Sequence, residues 1–419
     1  METDKNIPQV EIVAVGNELL NGLVTDTNST FLSAQMRAHG LQVARVSVVQ
    51  DDAVAIRSAL DQALSRVDLV IVTGGLGATH DDITKQVLAD YFGTPLVRDP
   101  KAEAMIRTFF EKRQKPVPEA ALRQAEVPQA GRTLYNDQGT APGMMFQRDQ
   151  QRVYVLPGVP REMEHLTRQY ILPDVATVGN LCLQQRMLLT TGVVESALWE
   201  QFGPLDALES LVKVASLPSH LGVRIHLTAQ GKDENETTAK LDQAEQLLRD
   251  VLADYIYGRD EETLESVVGK KLVERGETVA VAESCTGGLI GHRLTNVPGS
   301  SRYFLQGWMT YSNEAKIKNL GVDARLIEQH GAVSEEVARQ MADGACQRAH
   351  TDWAVSVTGI AGPDGGTVPK PVGLTYIAVA GKVPTVCQKF VFPQDRVRNK
   401  ERAAQAALNL LRQHLIGLK

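Results

Sequence analysis

Cysteine is scarce in this chain, with four in 419 residues: Cys182, Cys285, Cys346 and Cys387. No two stand in a C-x-x-C pair, which removes the usual zinc and thioredoxin-type readings. Their wide spacing fits free thiols in a reducing compartment. No apolar run reaches the length of a bilayer-spanning helix. The opening METDKNIPQV lacks the apolar stretch of an export signal. The cytoplasm is therefore the expected location, with no membrane partner. Basic charge is not in excess either: 44 Lys and Arg against 50 Asp and Glu leave a formal charge of −6. That removes any global attraction for nucleic acid and leaves only local basic patches open. Internal repeats and low-complexity tracts are absent. What remains has the composition of a soluble globular protein, too long for one core, so two or three domains are expected.

Three parts can be traced. Residues 8–175 alternate short apolar strands (VEIVAVG, LQVARVSVV, DLVIVTGG) with helical segments at 28–39 and 53–65. This alternation predicts a parallel sheet covered on both faces. Residues 181–259 have an α+β pattern with antiparallel pairing: QQRMLLTTGV, a helix at 195–202, LVKVASLPS, VRIHLTA and the helix LDQAEQLLRDVLADY. The DENE run between them reads as a solvated charge cluster. Residues 261–419 return to α/β, with strands TVAVAES, WAVSVTG and LTYIAVA and a last amphipathic helix, ERAAQAALNLLRQHL.

Chemistry concentrates in the last part. In AESCTGG (282–288) a strand hands over to a helix, which puts the Ser284 hydroxyl at the sheet edge. Free backbone amides near Cys285 and Thr286 could hold an oxyanion, and Gly287 lets a ligand approach closely. A serine that merely caps the helix is the competing reading. YSNEAKIKNLG supplies Tyr311 and Lys316. A lysine acts as a base only where burial or charge brings its pKa towards ~7–8. Lys318 serves as the control that should stay solvated. In VTGIAGPDGGTVPKPVG, Thr358 and Gly359 sit at a strand's C-terminal end, where open sheets bind ligands. Arg396 and Arg398 stand just ahead of the last helix, a setting that suits phosphate.

These motifs, in this order, resemble the C-terminal domain of the CinA family, whose enzymatic PncC-type members deamidate nicotinamide mononucleotide. The resemblance implies Ser284 as nucleophile, Lys316 as base and Tyr311 as assistant. It implies a substrate site that includes Cys285, Thr286, Gly287, Thr358 and Gly359, with Arg398 on the phosphate. No cofactor is implied for deamidation. Cys285 stands beside Ser284 as an alternative nucleophile.

The first part carries VTGGLGATHDDIT, where Gly74, Gly75, Gly77 and Thr79 could cradle a phosphate and Asp81 and Asp82 could hold a cation. A tight turn with helix-capping aspartates explains the same residues. His80 reads as a loop residue. Together with GNELLNG, GTAPG and LPGVPREM, this segment resembles the CinA N-terminal domain, related to molybdopterin-binding domains of the MoaB and MogA type. Some such domains hydrolyse ADP-ribose with a divalent metal. The resemblance implies Co²⁺ or Mg²⁺ near Asp51 and Asp82. Ala78 and Asn136-Asp137-Gln138 depart from the family pattern and touch loop rigidity rather than charge. SLPSHLGVRIHLTA resembles the KH-like connector of these proteins, but no basic GxxG loop is present, so RNA is not expected. The whole chain is thus expected to be an α/β protein: a molybdopterin-binding-like parallel-sheet domain, a KH-like connector and an α/β deamidase domain. A homodimer is expected. The rival class is an interaction protein, since the family is linked to competence and to the recombinase RecA.

Overall fold

Strand β1 (Gln9–Val15) is buried at every residue but its first, as a strand is only inside a sheet covered on both faces. The computed structural model describes residues 8–79, 82–175 and 182–417; His80 and Asp81 lie outside them. The chain divides into two compact units, Met1–Gln184 with Gln230–Thr238, and Gln185–Ala229 with Ala239–Lys419.

After β1 come α1 (Asn17–Leu20), α2 (Thr27–Ala38), β2 (Gln42–Val49), α3 (Ala53–Leu64), β3 (Leu69–Thr73) and α4 (Thr84–Tyr91). A short antiparallel pair, β4 (Leu96–Arg98) and β5 (Glu126–Pro128), brackets α5 (Pro100–Glu111) and α6 (Glu119–Leu122). Then follow β6 (Arg132–Leu134), β7 (Gly143–Arg148), β8 (Gln151–Leu156), α7 (Pro160–Leu166) and α8 (Leu172–Val175). The sheet order is β2-β1-β3-β8-β7-β6. Val13 and Val15 face one core, Val10 and Ile12 the other, the two-residue alternation of a strand between layers. The four strands from β2 to β8 are parallel, while β7 and β6 are antiparallel. The sequence predicts the parallel part. The added strands come from the tight β7–β8 turn, with Asp149 at φ +53°, since so short a connection can only return antiparallel.

The middle module comprises β9 (Cys182–Thr190), α9 (Glu195–Phe202), α10 (Asp206–Glu209), β10 (Lys213–Ser219), β11 (Gly222–Gly231), α11 (Glu234–Leu252) and β12 (Ile256–Arg259). Its sheet order is β10-β11-β9-β12. The DENE run is more than a solvated cluster. Asp233 accepts the Glu236 amide at 2.9 Å, and Glu236 accepts the Lys232 amide at 2.9 Å. This acidic start caps α11 and suits its positive end.

The last part contains α12 (Leu264–Arg275), β13 (Val279–Glu283), α13 (Leu289–Thr295), β14 (Phe304–Met309), α14 (Asn313–Leu320), α15 (Ala324–His330), α16 (Glu335–Ala349), β15 (Trp353–Gly359), β16 (Leu374–Gly381), β17 (Val386–Val391) and α17 (Arg396–Leu415). Its sheet runs β14-β13-β15-β16-β17, with β13 central to three parallel strands. Val279 and Val281 pack with α12, α13 and α17, whereas Ala280 and Ala282 pack with α15 and α16. The C-terminal ends of β13 and β15 therefore open at one end of the sheet, between two helical layers.

Candidate functional site

Ser284 directly follows β13, and its amide donates to Val357 O of β15 at 3.0 Å. One register position away, the Thr310 amide donates to Glu283 O at 2.8 Å, which ties the end of β14 to the same edge. The chain then turns into α14, where the Ser312 hydroxyl caps the Ala315 amide at 3.1 Å. That start sets the helix phase so that Lys316 points inward, only 1% exposed, while Lys318 stays exposed. Lys316 Nζ donates to Thr310 O at 2.7 Å and lies 3.1 Å from Ser284 Oγ. Burial lowers the Lys316 pKa from its ordinary value, because a charged amine loses its hydration there. A neutral amine held by one acceptor keeps a lone pair free for the serine hydroxyl.

The helix that follows Ser284 starts later than the sequence reading places it. α13 begins only at Leu289, and its first free amides are already taken. Glu283, buried at the end of β13, accepts from Gly288, Ile290 and Gly291 at 3.0, 3.1 and 2.9 Å. The amides of Cys285 and Thr286, in the turn before the helix, have no backbone acceptor among the described residues. Gly287 and Gly288 hold this turn at φ +61° and +92°, a region costly for side-chain-bearing residues. Thr286 is fully buried and its hydroxyl has no partner among the described residues.

Cys285 is 7% exposed, and burial pushes its thiol up to about 12. Such a thiol is not a nucleophile at neutral pH, which argues against the alternative to Ser284. Its sulfur packs 3.0 Å from where a Cβ on Gly359 would stand, so Gly359 serves close packing here. Thr358 is buried and donates to Ala332 O at 2.8 Å, anchoring β15 to the segment before α16. Tyr311 is exposed, and its hydroxyl accepts from Arg396 at 2.9 Å. Arg396 also donates to Gly362 O at 2.7 Å, so one guanidinium joins the tyrosine to the glycine-rich loop.

The arginines lie within α17 rather than ahead of it. Asp395 caps that helix by accepting the Val397 and Arg398 amides, both at 3.0 Å. The helix end therefore already holds a carboxylate, and an anion must be met by side chains. Arg398 faces Asp395 at 3.5 Å with its side chain 60% exposed. Lys400 is half-buried, and its Nζ comes within 3.7 Å of where a Cβ on Gly287 would stand. Sequence reasoning missed Lys400, although the signal was available. Residues 396 and 400 share a helix face, and 398 lies across from them.

In the first unit, Gly74 (φ +109°) and Gly75 (φ +66°) follow β3, and a Cβ on either would strike Val15 O or Thr84 Oγ1 at 2.1 Å. A Cβ on Gly77 would meet the Asp82 carboxylate. Asp82 accepts the Thr79 amide at 3.0 Å and the Thr79 hydroxyl, and Asp51 accepts the Asn17 amide at 2.9 Å. Asp82 thus closes a local turn, and Asp51 holds the first amide of α1. No group of three His, Cys, Asp or Glu capable of holding a metal stands together among the described residues. Each carboxylate keeps an oxygen outside these contacts, and His80 and Asp81 beside Asp82 lie outside the described residues. Asn136 donates to Ala141 O at 2.9 Å and to Glu162 at 2.6 Å, so the variant Asn136-Asp137-Gln138 segment still joins two loop motifs. Asn28 donates to Gly158 O at 2.8 Å and to Thr73 at 3.1 Å, while its own carbonyl is buried without a partner among the described residues.

Comparison with known proteins matches three family models: the CinA C-terminal domain at 261–415, the probable molybdopterin binding domain at 11–177, and the damage-inducible protein CinA KH domain at 185–258. A relative from Caldicellulosiruptor saccharolyticus, named for competence-damage induction, is 42% identical over 407 residues, covering 97% of this chain and 99% of its own. A CinA-like protein from Chloroherpeton thalassium is 42% identical over 414 residues, with the same coverage. A crystal structure titled as CinA of unknown function, from Thermoplasma acidophilum, is 37% identical, with TM-score 0.37, covering 41% of this chain and 99% of that one. The competence/damage inducible protein from Agrobacterium tumefaciens is 38% identical, with TM-score 0.35, covering 37% and 93%. With relatives matched along nearly their whole length and all three domain models in order, the chain belongs to the CinA family.

Proposed function

We propose that the C-terminal part hydrolyses the carboxamide of nicotinamide mononucleotide to nicotinate mononucleotide and ammonia. The observation that carries this reading is the buried Lys316 amine 3.1 Å from the Ser284 hydroxyl. Neutral Lys316 takes the hydroxyl proton as Ser284 Oγ bonds to the amide carbon. The free amides of Cys285 and Thr286 receive the developing oxyanion. The proton passes to the leaving nitrogen, ammonia departs and an acyl-serine remains. Water, deprotonated by the same amine, then attacks that ester, and its proton returns to Ser284 as nicotinate mononucleotide leaves. Lys400, with Arg396 behind it, gives the substrate phosphate a cationic partner. A non-enzymatic interaction role leaves the arrangement unaccounted for, because burying an amine carries a cost that binding elsewhere does not require. The test is ammonia release by the full chain from nicotinamide mononucleotide and from nicotinamide riboside. The reading expects turnover of the first and a much higher KM for the second; release from neither sinks it.

For the first unit, the Asn28 carbonyl, buried without a partner among the described residues beside the Gly74-Gly75 turn, supports a polar ligand, either ADP-ribose or a pterin of the molybdopterin type. Hydrolysis of ADP-ribose with added Co²⁺ or Mg²⁺ distinguishes an enzyme from a binding domain.

A further inference from the structure

Helix α17 has two polar faces with different duties. Arg396 and Lys400 reach the site described above. Residues 401, 405, 409 and 412 fall on another face, at spacings of one helical turn. Gln405, Asn409 and Arg412 are 5%, 9% and 2% exposed, where an amphipathic helix ordinarily carries leucine. Their partners include groups of the middle module. Glu401 meets His220 of the β10–β11 hairpin at 2.6 Å. Gln405 donates to the Thr191 hydroxyl at 3.1 Å, and Thr191 donates in turn to Leu221 O at 3.0 Å. Arg412 donates to Asp254 O at 2.5 Å.

Gln405 also meets α13. Its carbonyl accepts Arg293 of α13 at 2.8 Å, and Arg293 pairs with Glu265 of α12 at 2.7 Å. α13 starts at the far end of the Ser284–Gly288 turn. One glutamine therefore links the helix behind the nucleophile turn, the helix carrying Lys400 and the loop after β9. A cavity of about 800 Å³ lies beside these contacts, lined by Gln405, Glu401, Arg293 and residues of β9 and β11. Directional hydrogen bonds add a constraint on the rotation of α17 to the packing of its buried Ala403, Ala404, Ala407, Leu408 and Leu411.

We propose that Gln405 and Glu401 are positioning residues, and that the middle module, through Thr191 and His220, fixes the rotation and register of α17 and so places Lys400 against the nucleophile turn. This rests on the reading of Lys400 as the substrate's anion partner. A slip of a fraction of the ~1.5 Å rise per residue is enough to spoil such placement.

The test uses the full chain with Thr191→Val, which keeps the shape and removes the hydroxyl, Thr191→Ser, which restores it, and His220→Gln on the half-exposed hairpin. Two readouts are taken: kinetics on nicotinamide mononucleotide and amide hydrogen exchange over 285–291 and 396–402. The Val and Gln variants should raise KM about threefold to tenfold with kcat within about twofold, and exchange should quicken in both segments. The Ser variant should match the parent in both. If the parent releases no ammonia, the functional reading fails, and exchange alone decides the present proposal. Unchanged exchange in the Val variant, unchanged KM in an active parent background, or a Ser variant that behaves like Val overturns it.

Discussion

The Lys316 amine stands 3.1 Å from the Ser284 hydroxyl and makes no ion pair among the described residues; its other contact is the Thr310 carbonyl. A cation would have little to hold it there, and burial lowers its pKa. Deamidation should therefore depend on loss of that proton. The expected kcat/KM profile rises with pH to a plateau, with its midpoint below the ordinary lysine value of 10.5. The same shift acts on stability. The unfolded chain holds the proton more tightly, so this group's contribution is complete above 10.5 and is lost as pH falls through the lowered folded value. A rate profile centred at the ordinary lysine value would contradict this.

The thiol beside the nucleophile should be dispensable. With Cys285 pushed up to about 12, Cys285→Ala should keep activity within roughly tenfold of the parent. Iodoacetamide at neutral pH should label Cys285 poorly in the folded chain, as peptide mass mapping can show.

Lys400 and Arg398 can be separated as anion partners. Lys400→Ala should raise KM for nicotinamide mononucleotide about tenfold to a hundredfold, from loss of a charge-assisted contact. Arg398, turned towards Asp395, should tolerate alanine with KM changed less than about threefold. The reverse order would return the phosphate to Arg398.

Glu283 holds three amides at the start of α13. Glu283→Gln keeps the shape but turns an acceptor oxygen into a donor facing those amides. We expect a loss of about 1–3 kcal/mol, read from urea unfolding. Activity should fall as well, because the nucleophile turn is tied to the same helix start.

Much of this was readable from sequence, for reasons visible in particular residues. Ser284 and Lys316 stand in compact motifs at a strand end and a helix start, where local rules decide which way a side chain points. Near-continuous apolar runs in VAVAE and in β1 read as buried strands. Other features needed distant partners. Nothing local indicates that Glu283 reaches forward to cap α13, since the amides it accepts belong to Gly288, Ile290 and Gly291 beyond an intervening turn. The choice among Arg396, Arg398 and Lys400 depends on where α17 begins, and Asp395 sets that start. Asp51 and Asp82 have the composition of a cation site, but each gives one carboxylate oxygen to a backbone amide, of Asn17 and Thr79, which residue type alone does not show. The antiparallel β7 depends on the short return to β8, which strand patterning does not register.

The most direct measurement is ammonia release from nicotinamide mononucleotide by the parent chain, Ser284→Ala and Lys316→Ala, each checked for an unchanged circular dichroism spectrum. The account predicts turnover by the parent and a drop of roughly a thousandfold or more in each variant. A folded variant of either kind that works at the parental rate contradicts it.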